Sequence, residues 1–300
     1  MINTNLQHEF NALIGHDGTQ ASPTRRDALR AALGVGYAAA AAPVLAQNAI
    51  KTPADGLLAG EVTIDVGGGV RMPAYRAAPA GKTNLPVLLV IHEIFGVHEY
   101  IADTVRRFAR AGYLAIAPEL FTRQGDPGSY GEMAKLLAEV VSKVPDAQVM
   151  SDLDITARWA AANGGDAGRI GVTGFCWGGR ITWLYAAHAP TVRAGVAWYG
   201  RVVGAANAMT PRHPVDVAQQ LHGPVLGLYG GKDTGIPLDT VERMKAVLGA
   251  GSAAARASQF VIYPDAPHAF HADYRPSYVK AAADDGWQQA LAWFKRHGVA

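Results

Sequence analysis

The chain has 300 residues, 27 Lys+Arg, 25 Asp+Glu and a formal net charge of +2. With 49% hydrophobic and 17% charged residues it can bury a large core, which excludes intrinsic disorder, and no basic block recurs, which excludes an electrostatic nucleic-acid binder. A single cysteine excludes an internal disulfide framework and any Cys-based zinc site within one chain.

The N-terminus reads as a targeting segment. A polar stretch over 1–24 leads into Thr24-Arg25-Arg26-Asp27-Ala28-Leu29-Arg30, then an Ala/Leu/Gly/Val run from Ala31 to Ala42 broken by Pro43. Val44-Leu45-Ala46 offers small residues for cleavage. Together these make a signal peptide over 1–46, and the apolar run is too short for a membrane span. The paired arginines resemble the twin-arginine pattern, with Ala28 where a bulkier apolar residue is usual. An amphipathic helix of the globule ranks lower, because the Ala/Gly run has no polar face. The expectation is a periplasmic or secreted protein that meets the twin-arginine export machinery and keeps no stable membrane span after cleavage. Residues 47–60, with Pro53, Gly56 and Gly60, read as a linker or irregular arm, and 61–300 as one domain.

The domain reads as alternating strands and helices. Glu61–Val66 and Arg71–Arg76 around Gly67-Gly68-Gly69 predict an antiparallel hairpin. Pro86–Ile91 is a continuous apolar run, as in a strand buried on both faces. A helix follows over Ile101–Ala111, then a strand over Tyr113–Ala117, and helices over Glu132–Lys143 and Val149–Ala162. Arg169–Thr173, Val192–Trp198, Pro224–Tyr229 and Phe260–Tyr263 predict strands; Gly178–Ala187, Leu238–Leu248 and Ala281–Arg296 predict helices. The alternation predicts an α/β fold with a mainly parallel central sheet and helices on both faces. Its sites should gather at the carboxyl ends of the strands.

The sharpest motif is Gly174-Phe175-Cys176-Trp177-Gly178-Gly179, between a predicted strand and a predicted helix. It is a G-x-nucleophile-x-G elbow with cysteine in place of serine. Glycine is needed on both sides because the tight turn crowds those positions. The helix N-terminus favours both a thiolate and a developing oxyanion. A buried structural cysteine is the bland alternative, and the flanking glycines argue against it. A cysteine nucleophile needs a base and a group that orients the base. Asp233, after the strand ending at Tyr229, and His268, after the strand ending at Tyr263, complete the chain order nucleophile, acid, histidine. Asp233 could also be only a turn residue, and His271 competes with His268.

His92, Glu93 and His98 invite a zinc reading that fails on spacing, since a helical pair needs histidines four apart. The segment lies where an oxyanion loop belongs, so the N–H groups of Ile94 and Trp177 are the candidate oxyanion donors. Gly230-Gly231-Lys232 is not a phosphate loop, and no dinucleotide fingerprint is present. No metal and no cofactor is expected.

On these residues the sequence resembles the dienelactone hydrolase family of the α/β-hydrolase fold, carboxymethylenebutenolidase-like, over most of 61–296. The resemblance is carried by the elbow at 174–179, Glu93-Ile94-Phe95-Gly96, Pro118-Glu119-Leu120-Phe121 with Arg123, Trp198-Tyr199-Gly200, and His268-Ala269-Phe270. It implies Cys176 as nucleophile, His268 as base and Asp233 as its partner. It implies Glu93 as a carboxylate close to the thiol, governing its ionisation, with Arg123 and Tyr199 as substrate-binding residues. One departure stands out: Ala272 occupies the position of a second substrate-binding arginine, with Arg275 three residues on. The expected function is hydrolysis of a small-molecule lactone or ester through a Cys-His-Asp triad. The alternative is an exported binding protein on a non-catalytic hydrolase scaffold, against which the intact Cys176, Asp233 and His268 argue.

Overall fold

The computed structural model describes residues 49–300. The leader expected over 1–46 lies outside the described residues. Eight strands form one sheet in the order β1-β2-β4-β3-β5-β6-β7-β8: β1 (Leu57–Asp65), β2 (Arg71–Pro79), β3 (Leu85–Ile91), β4 (Leu114–Pro118), β5 (Gly165–Phe175), β6 (Val192–Trp198), β7 (Val225–Gly230) and β8 (Gln259–Tyr263). The β1–β2 and β2–β4 pairings are antiparallel, and the rest are parallel. The helices are α1 (Glu99–Arg110), α2 (Met133–Glu139), α3 (Asp146–Ala162), α4 (Trp177–His188), α5 (Pro214–Val217), α6 (Leu238–Gly249), α7 (Ala253–Ala257) and α8 (Lys280–Arg296). The mainly parallel sheet with helices packed around it is an α/β-hydrolase fold.

Parallel strands covered by helices need apolar side chains on both faces, and Pro86–Ile91 is buried without a break. Helix α1 packs on β2 and β4, α3 on β3 and β5, α4 on β5 and β6, and α8 on β6 and β7. The chain runs from β3 to β4 on one side, then crosses to β5 on the other side of β3. Such a reversal opens a crevice at the carboxyl ends of the two central strands. The β3–β5 register pairs Ile91 with Gly174, so the segment after β3 lies beside the elbow after β5.

The structure departs from the expectation at the N-terminal arm. Strand β1 begins at Leu57, inside the stretch read as a linker or irregular arm over 47–60: Leu57 to Gly60 pair with Pro79 to Arg76 of β2 despite the glycine that suggested an irregular segment. The arm before it is also fixed. Thr52 N donates to Asp103, Arg106 Nε donates to Thr52 O at 2.9 Å, and Arg110 Nη2 donates to Pro53 O at 2.9 Å. These are backbone contacts, which leave no pattern in the sequence. The helix expected over 132–143 is shorter: α2 stops at Glu139, and from the β-branched pair Val140-Val141 the chain turns into a 3-10 turn over Val141–Lys143. Helices α5 and α7 are too short to show a period. Among the described residues no helix is long and apolar enough to cross a membrane.

Candidate active site

Cys176 stands between the end of β5 and the start of α4, with φ 54° and ψ −112°. Residues other than glycine rarely adopt positive φ, and here the surrounding backbone imposes it. Cys176 N donates to Trp198 O at 3.0 Å, and Arg180 N donates to Cys176 O at 3.2 Å. The glycines on either side are sterically required. A Cβ on Gly174 would lie 2.3 Å from Gly178 O, and one on Gly178 would lie 2.4 Å from Ile91 O. Among the described residues only Asn84, Cys176, Tyr199 and Ala269 have positive φ without being glycine. Three of those four belong to the site, which is where strained backbone tends to gather.

The acid and the histidine are brought together by two zipped loops. Gly231 N donates to Tyr263 O at 2.8 Å, and Lys232 N donates to Ala266 O at 3.0 Å. The loops touch so closely that a Cβ on Gly230 would lie 2.3 Å from Ala266 O. Asp233 then serves two purposes. Its Oδ1 accepts from Gly235 N at 2.9 Å and Ile236 N at 3.2 Å, which holds the carboxylate still. Its Oδ2 meets His268 Nδ1 at 2.6 Å. The turn residue and the histidine partner are therefore the same residue. Burial alone would lower the His268 imidazole, but its hydrogen-bond neighbours Cys176 and Asp233 outweigh that and raise it from 6.5 to about 10. His271 lies elsewhere: it is buried, bonds Tyr100 Oη through Nδ1 at 2.6 Å, and packs on Trp198 at 4.4 Å.

The oxyanion-loop candidates lie next to the elbow. Neither the Ile94 nor the Trp177 N–H donates a hydrogen bond to a described residue. Glu93 is fully buried. Tyr274 Oη donates to its Oε2 at 2.7 Å, His98 Nε2 stands 3.5 Å from that oxygen, and Arg275 Nη2 stands 3.3 Å from Oε1. Burial would raise the Glu93 carboxyl, yet Arg275, His98 and Tyr274 together hold it down to about 2. Arg275 is itself 2% exposed in its side chain and lies over the rings of Phe95 and Tyr274. So Arg275, the potential substitute for the second arginine, is engaged by Glu93. The position of that second arginine, Ala272, is fully buried.

The two expected substrate-binding residues are placed as follows. The Arg123 guanidinium grips Asp152 through Nη1 and Nη2, at 2.5 and 3.0 Å. Its side chain keeps 26% exposure, while Asp152 keeps 1%. Tyr199 is fully buried, with its ring edge-on to His268 at 5.1 Å and to Phe270 at 5.3 Å. It therefore supports the imidazole. Sequence reasoning did not reach Asp152, Tyr274 or the contacts of His92. Their partners lie far along the chain, and only the run Pro118–Phe121 hinted at a constraint. Among the described residues no group of three or more His, Cys, Asp or Glu could hold a metal ion.

The chain matches the model of the dienelactone hydrolase family over residues 72–298. A Methylorubrum extorquens protein, provisionally named a carboxymethylenebutenolidase, is 54% identical over 292 residues, covering 97% of this chain and 99% of the relative. An Escherichia coli K12 protein with the same provisional name is 53% identical over 264 residues, covering 88% and 96%. A Klebsiella pneumoniae crystal structure, provisionally described as a dienelactone hydrolase, superposes with a TM-score of 0.77 at 57% identity, covering 80% of this chain and 99% of that one. With the match spanning the sheet from β2 through α8, the chain belongs to the dienelactone hydrolase family.

Proposed function

We propose that the protein hydrolyses a small lactone or carboxylic ester through Cys176, with His268 as base and Asp233 orienting it. One observation carries this reading: a cysteine forced into positive φ at a helix N-terminus, beside a histidine whose far nitrogen is held by a buried carboxylate. The raised His268 favours an imidazolium beside the sulfur, which reacts as a thiolate. The sulfur would attack the carbonyl carbon and form a C–S bond, with negative charge passing to the carbonyl oxygen. The N–H groups of Ile94 and Trp177 would receive that charge. Collapse would break the ester C–O bond, and the imidazolium proton would go to the leaving oxygen. His268, now neutral, would take a proton from water as its oxygen attacks the thioester. The C–S bond would break, releasing the acid and restoring the thiolate.

The substrate reading favours neutral esters and lactones over carboxylated ones. Arg123 is the residue for a carboxylate contact, but its fork is already matched by Asp152, and Arg275 is matched by Glu93. A substrate carboxylate would have to share Arg123 with Asp152. The test is a panel of neutral aryl esters, neutral lactones and carboxylated lactones, run with wild type, Cys176→Ala and His268→Ala. Turnover by wild type alone, highest on the neutral members, is expected. Equal turnover by all three proteins contradicts the nucleophile, and a preference for carboxylated lactones contradicts the substrate class.

We also propose export by the twin-arginine route, supported by Arg25-Arg26 and the apolar run to Ala42.

A further inference from the structure

We propose that His92 is a positioning residue for the oxyanion site, acting on both of its donors at once. This rests on the hydrolase reading above. His92 is fully buried. Its Nδ1 stands 2.6 Å from Glu93 O, and a carbonyl oxygen can only accept, so Nδ1 carries the proton. Its Nε2 receives the Leu120 N–H at 3.1 Å, so Nε2 carries none. Both nitrogens are thereby assigned, and the ring is the neutral Nδ1–H tautomer. Glu119 Oε1 lies 3.6 Å from Nε2, beyond hydrogen-bond distance.

The consequence lies in the next peptide. Glu93 O accepts from His92 Nδ1 and also from Gly96 N at 3.2 Å. No peptide bond among the described residues is cis. In a trans peptide the C=O and the following N–H point to opposite edges. Holding Glu93 O on one edge therefore commits the Ile94 N–H to the other, where no described residue takes it. This segment presses on the elbow: a Cβ on Gly178 would lie 2.6 Å from His92 O. The same imidazole stacks on the Trp177 ring, with centroids 5.4 Å apart and planes at 14°. One ring thus sets the peptide of the first donor and packs on the residue that supplies the second.

The run Pro118–Phe121 now acquires a physical role. Leu120 N fixes the His92 tautomer, Phe121 packs edge-on against His92 at 4.7 Å, and Glu119 Oε2 accepts from Val97 N at 2.9 Å. All three hold the segment after β3 in one conformation, and preorganised donors are what oxyanion stabilisation requires.

The test compares wild type, His92→Phe, and the equal-sized pair His92→Asn and His92→Asp. Each is read in three ways: kcat and KM on a neutral aryl ester, affinity for a trifluoromethyl ketone, and the rate of iodoacetamide alkylation. The ketone adduct carries an oxyanion, whereas alkylation needs none. His92→Phe keeps an aromatic ring and loses both hydrogen bonds. It is expected to lose kcat by roughly tenfold to a hundredfold, below the full loss of one donor, with a parallel loss in ketone affinity. KM and alkylation should stay within about twofold. Should that variant not fold, the pair carries the test. Asn can donate to Glu93 O and Asp repels it, so Asn should exceed Asp in kcat by about tenfold at equal alkylation rates. Unchanged kcat in His92→Phe, equal kcat in the pair, or alkylation falling in step with kcat would overturn the proposal. Absence of turnover in wild type would instead count against the hydrolase reading, so the two failures are distinct.

Discussion

Arg275 lies 3.3 Å from Glu93, and both side chains are shut away from solvent. Each charge is compensated by the other in a setting where neither could stand alone. Removing one partner of a buried pair leaves an unpaired charge and costs about 3–5 kcal/mol. Arg275→Met should therefore lower stability by about that amount in urea denaturation. It should not change the ratio of KM values for carboxylated and neutral lactones. A selective rise in KM for the carboxylated member would assign Arg275 to the substrate instead. Linkage adds a pH signature. The folded Glu93 carboxyl sits at about 2, below its ordinary 4.5. Its stabilisation is present above pH about 4.5 and is lost as pH falls through about 2.

His268 shifts the opposite way. Its imidazole is raised from 6.5 to about 10, against burial, by Cys176 and Asp233. Its contribution to stability is whole below pH about 6.5 and is lost as pH rises through about 10. The His268 ring resonances should keep the doubly protonated signature through neutral pH and titrate only near pH 10. In Cys176→Ala the principal upward influence disappears, so the midpoint should fall. A wild-type midpoint near 6.5 would contradict the ion-pair description.

The elbow depends on glycine for space. A Cβ on Gly178 would meet Ile91 O at 2.4 Å and His92 O at 2.6 Å, both main-chain atoms that cannot swing aside. Gly178→Ala should lose about 1–3 kcal/mol of stability as an overpacking change. It should also lose most of its turnover, because the relief must come from the oxyanion segment. Wild-type turnover in this variant would show that the segment's position is not critical.

The proposed export is tested by localisation and N-terminal sequencing. Arg25→Lys with Arg26→Lys should keep the protein out of the periplasm, and N-terminal sequencing of the exported form should begin close after Ala46. An intact Met1 in the periplasmic fraction would contradict cleavage there.

The parallel core was legible because β3 is one unbroken apolar run, and the triad candidates because Cys176, Asp233 and His268 each follow a strand that ends on the same edge. Asp233 looked like either a turn residue or a histidine partner, and its two oxygens make it both. What stayed hidden were pairings set by tertiary approach. Arg275 could have faced a substrate, and only its approach to Glu93 shows its engagement. Arg123 and Asp152 are joined across separate elements in the same way. The stretch read as a linker or irregular arm is irregular at Thr52 and Pro53, and its docking on Asp103, Arg106 and Arg110, largely through backbone atoms, has no sequence pattern. His92 looked like a failed zinc ligand, since tautomer and peptide orientation have no sequence signature.

Turnover by the proposed route must pass through an acylated Cys176. Wild type mixed with a neutral aryl ester, quenched in acid within the first turnovers and digested, should show the acyl mass on the peptide that contains Cys176. Cys176→Ala should show neither the adduct nor turnover. An adduct on another residue, or hydrolysis by Cys176→Ala at the wild-type rate, would contradict the account.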